Sequence, residues 1–211
     1  FGIAVAATPT SAALSYDVPR IHPYTDFILV MTYDLHSSWN SFTGIHGAMY
    51  VGPHDLTPIQ QELNVYTCIN WWINQGAPRS KIIMGLPSYG RSFTLTNTNQ
   101  NGVNALSSGP GIPGEYSGES GYLTFMEICQ RVNQRGWTRV WEITQRVPYA
   151  FSGNQWVGYD DIEAISYKLD YIIRENLGGS MWWSLESDDF RNLCGHGSFP
   201  LIRLAQTVMQ G

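Results

Sequence analysis

Polar and aromatic side chains follow three apolar segments of the chain, at the points where each segment ends. The ends read Met31-Thr-Tyr33-Asp34, Pro87-Ser-Tyr89-Gly-Arg91 and Met181-Trp-Trp183-Ser-Leu-Glu186. Ligands of parallel α/β folds bind at the carboxyl ends of the strands, so these side chains are expected to share one face. Aromatic rings stack on sugar faces, while carboxylate, guanidinium and phenol groups fix hydroxyl or amide positions. The spacing therefore predicts a carbohydrate site.

The same residues also have structural interpretations, which the sequence leaves open. Tyr33 or Tyr89 could be a hydrogen-bonded core tyrosine, and Asp34 and Arg91 could be structural ion-pair partners. The pair Asp188-Asp189 could cap the last turn of the chain.

The sequence lacks the motifs of several other classes of enzyme. It contains no HExxH, Gly-x-Ser-x-Gly, phosphate-binding loop or zinc-ligand spacing. The histidines show no ligand spacing either, and they are His22, His36, His46, His54 and His196. We therefore expect neither a metal nor a cofactor.

The elements that must position these residues are expected to be parallel strands and helices. Nearly continuous apolar runs are typical of strands covered on both faces, and they occur at Gly2–Ala6, Phe27–Tyr33, Lys81–Pro87 and Gly179–Leu185. Helical spacing follows the capping box at Thr57, with Ile59, Leu63, Tyr66, Ile69 and Ile73 on one face. Further helices are predicted from Asp160 and over Phe199–Met209, and short turns over Thr8–Tyr24. The pattern predicts an α/β fold with four β–α units.

One long segment interrupts this alternation. Roughly Ser92 to Ala150 contains a predicted helix over Leu123–Arg135 and strand-like pieces. A segment of this length is too long for an ordinary loop. We therefore predict an inserted α+β module.

Composition excludes two classes of partner. The net charge is −5 with no Lys/Arg run, so nucleic acid is not an expected partner. No segment reaches the roughly 20 apolar residues of a membrane helix, so no membrane partner is expected. The aromatic fraction of 13% fits either a tightly packed core or a sugar-stacking groove.

The chain ends and cysteines add two expectations. The chain starts at Phe1 and opens directly as an apolar strand without a charged leader, which we interpret as a cut edge. Three cysteines allow one disulfide and one free thiol.

The ordered motifs resemble glycoside hydrolase family 18, in particular animal chitinases and their lectin-like relatives. The matching segments are Met31-Thr-Tyr-Asp-Leu-His36, Gly76-Ala-Pro-Arg-Ser-Lys-Ile-Ile-Met-Gly85, Tyr89-Gly-Arg-Ser-Phe-Thr-Leu95, Gln155-Trp-Val-Gly-Tyr-Asp-Asp161 and Gly178-Gly-Ser-Met-Trp-Trp-Ser-Leu-Glu-Ser-Asp-Asp-Phe190. They extend over nearly the whole chain. The long insertion resembles the small α+β domain of that family.

The resemblance implies the second half of a TIM (β/α)8 barrel, strands five to eight. It divides the chain into barrel residues 1–91, an insertion domain 92–150 and final barrel elements 151–211. The family signature Asp-x-x-Asp-x-Asp-x-Glu, which carries the general acid, is not found in these residues. We expect it before Phe1, in a missing N-terminal half of the barrel, and we expect the chain alone to be inactive.

The resemblance also implies roles for individual residues in a retaining, substrate-assisted hydrolysis of chitin. The Tyr33 hydroxyl would orient the acetamido group that attacks the anomeric carbon, and Asp34 would hold the sugar beside the cleavage point. Substrate contacts are expected from Met31, Trp39, Tyr89, Arg91, Glu119 and Trp183. Cys129 and Cys194 match positions that pair in the family, which implies a disulfide and a secreted protein. Cys68 would then be a buried free thiol.

Three departures from the family pattern affect the edge of the groove. Ser37 replaces a common glycine, Ile45-His46-Gly47 differs from the usual residues, and Glu186 replaces a common aspartate. The sequence leaves three functions open. They are an active chitinase whose N-terminal half lies outside this sequence, a chitin-binding lectin-like relative, and an inactive half-barrel or four-stranded domain of another fold.

Overall fold

A computed structural model describes residues 1–209, and its strands form two sheets. In chain order the strands are β1 (Gly2–Ala6), β2 (Phe27–Met31), β3 (Ile82–Pro87), β4 (Tyr89–Leu95), β5 (Ser107–Pro110), β6 (Tyr122–Thr124), β7 (Thr138–Glu142), β8 (Val147–Ser152), β9 (Gln155–Tyr159) and β10 (Gly179–Trp183). The helices are α1 (Pro9–Ser15), α2 (Val18–Ile21), α3 (Pro58–Gln61), α4 (Val65–Asn74), α5 (Phe125–Gln134), α6 (Ile162–Arg174) and α7 (Pro200–Met209).

The first sheet is parallel throughout, in the order β1-β2-β3-β10. These are the four segments predicted as buried strands; β1 has the predicted bounds, and the other three strands are one or two residues shorter. β2 stops at Met31, where the Thr32 amide donates to the Val30 carbonyl at 2.9 Å, and Asp34, three residues beyond Met31, has a left-handed backbone with φ 57°. β10 stops at Trp183, and the predicted end at Leu185 instead enters a short 3-10 turn, Leu185–Ser187.

The second sheet is antiparallel, in the order β5-β4-β9-β8-β7, with β6 paired to the other part of β4. It holds the predicted helix of the insertion, α5, whose capping box is formed by Thr124 and Glu127. The strands of this sheet extend from Tyr89 to Tyr159, beyond both ends of the range 92–150. Only Ser88 separates β3 from β4, so the chain passes directly from the parallel sheet into the antiparallel one.

The helix predicted from Thr57 is split in two. The capping box of Thr57 and Gln60 is present, but α3 makes a single turn, and α4 starts again after Asn64. The Asn64 side chain accepts a hydrogen bond from the Thr67 amide at 2.9 Å, so Asn64 is a new N-cap. The amides of Val65 and Tyr66 donate to the carbonyls of Ala48 and Met49 at 2.9 and 3.0 Å. Because these two amides bond to another segment instead of to carbonyls of the preceding turn, the single helix predicted from Thr57 is interrupted.

Two expectations about the cysteines and one about the acidic pair are confirmed. Cys129 and Cys194 form a disulfide, and Cys68 is a buried free thiol. Asp188 Oδ2 accepts hydrogen bonds from the amides of Leu201 and Ile202, both at 3.1 Å, at the start of α7. The acidic pair therefore includes a helix cap.

Helices and strands bury two apolar clusters. The larger contains Val30, Trp72, Met84 and Ile172 of the parallel sheet and its helices, and it continues into α5 and the antiparallel sheet through Ile128. The smaller lies within the antiparallel sheet around Phe93 and Trp156, whose rings meet edge to face at 5.6 Å. Within residues 1–209, no helix is long and apolar enough to cross a membrane.

Candidate carbohydrate-binding site

Asp34 is the centre of the polar cluster at the carboxyl ends of the strands. The Tyr89 hydroxyl donates to Asp34 Oδ1 at 2.7 Å. Arg91 donates to both carboxylate oxygens, from Nε at 2.7 Å and from Nη2 at 2.8 Å. Tyr89 and Arg91 are two residues apart on β4, so both side chains leave the same face of that strand. The structure thus joins the ends of β2 and β3 through one carboxylate.

The His46 ring holds the backbone of Asp34 in place. The Asp34 amide donates to His46 Nδ1 at 3.3 Å, and His46 Nε2 lies 3.0 Å from the Tyr89 carbonyl oxygen. Because a carbonyl only accepts, Nε2 carries the proton and Nδ1 is the acceptor in the neutral ring. The left-handed backbone of Asp34 is therefore held by a fully buried imidazole. Sequence reasoning noted His46 only as a departure and missed this role.

The electrostatics keep Asp34 ionised and the two phenols protonated. Burial alone would raise the pKa of Asp34, but the Arg91 guanidinium and the Tyr89 hydroxyl outweigh it and hold the pKa well below its usual range. Burial, followed by the Asp34 charge, raises the pKa of Tyr33 to about 12 and raises that of Tyr89 further. Both tyrosines therefore remain hydrogen-bond donors at neutral pH.

Tyr33 faces a pocket of about 390 Å³ whose walls also include Met31, Asp34 and Leu63. Its ring meets the Tyr89 ring edge to face, with centroids 6.1 Å apart. Its hydroxyl has one weak partner, the Met181 sulfur at 3.7 Å. We call this space the Tyr33–Asp34 pocket; its hydroxyl donor and carboxylate are accessible to a ligand.

A second pocket, of about 420 Å³, lies on the other side of Arg91. It is lined by Arg91, Glu119, Trp183 and Glu186 among others. Arg91 Nη1 is 3.6 Å from the Glu119 carboxylate, and the Trp183 side chain is 58% exposed. Arg91 therefore connects the two pockets through its two carboxylate partners. The exposed indole of Trp183 can stack on a sugar ring, and the charged groups of Arg91 and Glu119 can hydrogen-bond to sugar hydroxyls.

Tyr89 is 2% exposed, lines neither of these pockets and reaches the site through its hydrogen bond to Asp34. The other predicted site residue outside both pockets is Trp39. It lies in a turn in which the Asn40 amide donates to the Ser37 carbonyl at 2.8 Å, and its side chain is 68% exposed. The turn includes Ser37, one of the departures from the family pattern. The indole is free to stack on a ligand, but it lies outside the walls of both pockets.

Tyr122 is a site residue that sequence reasoning missed. Its ring stacks on the Tyr89 ring at 4.8 Å with an interplanar angle of 20°, and the Arg91 guanidinium lies 5.4 Å from its centroid. Its hydroxyl is 2.8 Å from Ser187 Oγ, beyond the end of β10. Pairing of β4 with β6 places Tyr122 opposite Arg91. No sequence signal reveals this, because the pairing joins distant segments.

Removal of the Tyr122 ring is expected to loosen Arg91 and weaken sugar binding. Stacking and cation–π contacts of this kind are worth about 0.5–1.5 kcal/mol each, so the loss of both in Tyr122→Leu should weaken binding of a chitooligosaccharide by roughly 5- to 150-fold. Tyr122→Phe keeps the ring and loses only the Ser187 hydrogen bond, so it is the matched control and should restore most of the affinity. Titration calorimetry measures both; equal losses in the two variants would contradict a role for the ring.

One group of possible metal ligands occurs among the described residues, Cys129, Asp189 and Cys194. The two cysteines are joined as a disulfide. Asp189 accepts hydrogen bonds from the amides of Leu193 and Cys194 at 2.9 and 2.8 Å. These atoms are therefore engaged in holding the loop before α7.

Comparisons with known proteins agree with this architecture. The sequence model described as "Glycosyl hydrolases family 18" matches residues 1–188. "Probable chitinase 10" of Drosophila melanogaster is 41% identical over 211 residues, which cover 99% of this chain and 9% of that protein. The solved Group IV chitinase of Ostrinia furnacalis, in complex with allosamidin, superposes with a TM-score of 0.95 at 38% identity. Human YKL-39, described as a pseudo-chitinase with retained chitooligosaccharide binding properties, superposes with a TM-score of 0.95 at 36% identity.

The chain spans only part of these relatives. The alignment with the Ostrinia structure includes 99% of this chain but 56% of the Ostrinia chain. The alignment with YKL-39 includes 100% of this chain but 57% of the YKL-39 chain. Over nearly all of its length, the chain has an α/β fold that matches part of catalytic domains of the TIM-barrel type. On the family match and these similarities, the chain belongs to glycosyl hydrolase family 18.

Proposed function

We propose that residues 1–211 supply the sugar-binding part of the active site of a chitinase. The enzyme would hydrolyse β-1,4-linked N-acetylglucosamine polymers with retention, using the substrate's own acetamido group as nucleophile. The observation that carries this proposal is the Asp34 carboxylate, held by Tyr89 and Arg91 beside the available Tyr33 hydroxyl.

The chemistry of the Tyr33–Asp34 pocket supports substrate assistance. A protonated Tyr33 hydroxyl would donate to the acetamido group and orient its carbonyl oxygen toward the anomeric carbon, while Met31 lines the same pocket. Asp34 remains ionised and can accept a hydrogen bond from a sugar. These groups bind and orient; protonation of the glycosidic oxygen requires a general acid from elsewhere.

The neighbouring sugars would occupy the second pocket. Trp183 offers an exposed ring as a floor beneath the distorted sugar, and Arg91 and Glu119 would hold its neighbours. The buried Tyr89 would act on the substrate through its hydrogen bond to Asp34. Trp39, which is exposed, would stack on the leaving-group side.

We assign the parallel sheet to strands five to eight of a (β/α)8 barrel. Residues 1–91 and 151–211 would be barrel elements, and 92–150 the core of an insertion domain. The partner of β1 and β10 would be the N-terminal half of the barrel. The coverage of just over half of the solved relatives supports this assignment. The protein would be secreted, which the Cys129–Cys194 disulfide supports, and it would need no cofactor.

A lectin-like function is the second candidate. The sugar-binding groups described here are complete without a general acid, and YKL-39, a structural neighbour, is described as a pseudo-chitinase that retains chitooligosaccharide binding. A protein with this half and a replaced acid would bind chitooligosaccharides without cleaving them.

Intact mass and N-terminal sequencing of the natural protein that carries residues 1–211 distinguish these functions, followed by a hydrolysis assay. An upstream Asp-x-x-Asp-x-Asp-x-Glu and release of short oligosaccharides from chitin are expected. Binding without release, with the glutamate replaced, would establish the lectin-like function. Absence of both binding and release would refute both.

A further inference from the structure

Ser88 joins β3 of the parallel sheet to β4 of the antiparallel one, and each of its polar groups is hydrogen-bonded. The residue is fully buried. Its amide donates to the Trp183 carbonyl at 3.0 Å, and its hydroxyl donates to the Ser184 carbonyl at 2.5 Å. Its own carbonyl accepts the Phe125 amide at 2.9 Å, at the start of α5. Ser88 therefore ties the end of β10 to α5 and to the antiparallel sheet.

The two carbonyls that Ser88 holds belong to the point where the chain leaves the parallel sheet. β10 ends at Trp183, which is opposite Pro87 in the register of the sheet. The strand ladder stops there, so other groups must fix the next peptide. The Ser184 carbonyl accepts the Ser88 hydroxyl and also the Ser187 amide, at 3.1 Å, which starts the short turn after β10. Ser88 is thus the long-range donor that anchors this peptide.

The direction of the Trp183 indole depends on its main chain. The neighbouring Trp182 indole donates to Ser180 Oγ at 3.2 Å, whereas the Trp183 side chain is 58% exposed at the wall of the second pocket. An exposed ring has protein on few sides, so the rigidity of the backbone that carries it sets how precisely it lies. Small misplacements of a group that contacts the substrate are costly. Loosening of this backbone should therefore weaken sugar contacts.

Ser88 itself is out of reach of a ligand. It is fully buried and lines neither the Tyr33–Asp34 pocket nor the second pocket, whereas Trp183 and Ser184 both line the second. Any effect of its hydroxyl on binding must therefore pass through the residues that it holds.

We propose that Ser88 is a positioning residue for sugar binding: its hydroxyl and amide hold the main chain of Trp183 and Ser184, so that the Trp183 ring forms a fixed wall of the second pocket. The inference rests on the proposed function and deepens it, because it names a buried residue that sets how tightly the same site binds.

Ser92 provides the matched control. It is also a buried serine, 2% exposed on β4, but its Oγ has no hydrogen-bond partner among residues 1–209. Ser88→Ala and Ser92→Ala therefore remove the same group from similar surroundings, one bonded and one unbonded. Ser88→Cys fills the space of the hydroxyl with a weak donor, so it separates loss of the hydrogen bond from creation of a cavity. It also carries the test if Ser88→Ala does not fold.

The test uses the natural protein that carries residues 1–211, labelled with fluorotryptophan, with any upstream catalytic glutamate replaced so that the ligand stays intact. Titration calorimetry with chitohexaose gives the dissociation constant of each variant. Fluorine NMR records the tryptophan signals, and the signal missing from Trp183→Phe is that of Trp183. The thermal midpoint verifies that each variant is folded.

Ser88→Ala and Ser88→Cys should weaken binding by roughly fivefold, which corresponds to about 1 kcal/mol, and should shift or broaden the Trp183 signal. Ser92→Ala should change neither. Unchanged affinity in the Ser88 variants, weaker binding with an unmoved Trp183 signal, or equal effects in Ser92→Ala would overturn the inference while the proposed function stands. A loss in Ser88→Ala that is absent from Ser88→Cys would assign the effect to a cavity and also overturn it. Failure of the wild type to bind would refute the proposed function itself.

Discussion

Asp34→Asn is expected to reduce kcat/KM for chitooligosaccharides by about 10²- to 10³-fold in the natural protein that carries this chain. One transition-state hydrogen bond of this kind is worth about 2.7–4 kcal/mol. The substitution also removes the negative charge that Arg91 contacts from two nitrogens at 2.7 and 2.8 Å. Asparagine tolerates the left-handed backbone at this position, so the effect reports on the charge rather than on strain.

The control for Asp34→Asn is the thermal midpoint, which should change little compared with that of Asp34→Ala. A loss of less than threefold in kcat/KM would contradict the central place of this carboxylate. Glu115→Gln provides a matched comparison, because Glu115 also accepts two hydrogen bonds from one arginine, Arg135, but on the exposed surface. It should leave activity unchanged.

A pH measurement follows from the same contacts. Because the folded-state pKa of Asp34 is depressed below its unfolded value, its contribution to stability is present above that unfolded value and is lost as pH falls through the folded pKa. Arg91→Gln removes a group that lowers the pKa of Asp34. When ligand affinity is measured against pH, the loss of affinity on the acid side should therefore occur at higher pH in this variant. Loss at the same pH as in the wild type would show that another group controls it.

Lys168→Met is expected to lower the free energy of unfolding by about 3–5 kcal/mol, because it leaves a buried carboxylate without its cation. Lys168 Nζ donates to Asp160 Oδ2 at 2.7 Å and to the Gly47 carbonyl at 2.5 Å, and both charged side chains are buried. Asp160 Oδ1 lies 2.6 Å from the same nitrogen. Urea denaturation measures the change.

The double variant Lys168→Met with Asp160→Leu separates the two causes. If the cost comes from the uncompensated charge, the double variant should recover most of the stability, since apolar replacements of a buried pair are often neutral. A double variant as unstable as the single one would show that packing, not charge, dominates. Thr207→Ala, on the exposed face of α7, should stay within about 0.5 kcal/mol of the wild type.

The buried ion pair of Lys168 and Asp160 also contacts the segment that carries His46 of the binding site. Gly47 follows His46, the residue that accepts the Asp34 amide. A Cβ added at Gly47 would lie 3.1 Å from Asp160 Oδ2 and 3.2 Å from Lys168 Nζ, so a larger residue would crowd the ion pair. Loss of the pair should therefore disturb sugar binding as well as stability.

Elements with strong local signals can be predicted from the amino-acid sequence. Continuous apolar runs identified the four parallel strands, and a capping box identified the helix start at Thr57. Side chains capable of sugar chemistry follow the strands directly, so their types and their order are evident from the sequence alone. Each of these signals acts within a few residues along the chain, which is why sequence reasoning finds them.

The contacts between distant segments become visible only in the folded chain. The new helix start at Asn64 depends on amide partners at Ala48 and Met49, and the Asp34 cluster depends on His46 and Tyr122. The hydrogen bonds of Ser88 to the end of β10 and the buried ion pair of Lys168 likewise depend on long-range packing. Periodicity and capping chemistry are local properties. They carry no information on which buried polar group another segment will satisfy, and that choice determines the geometry of the site.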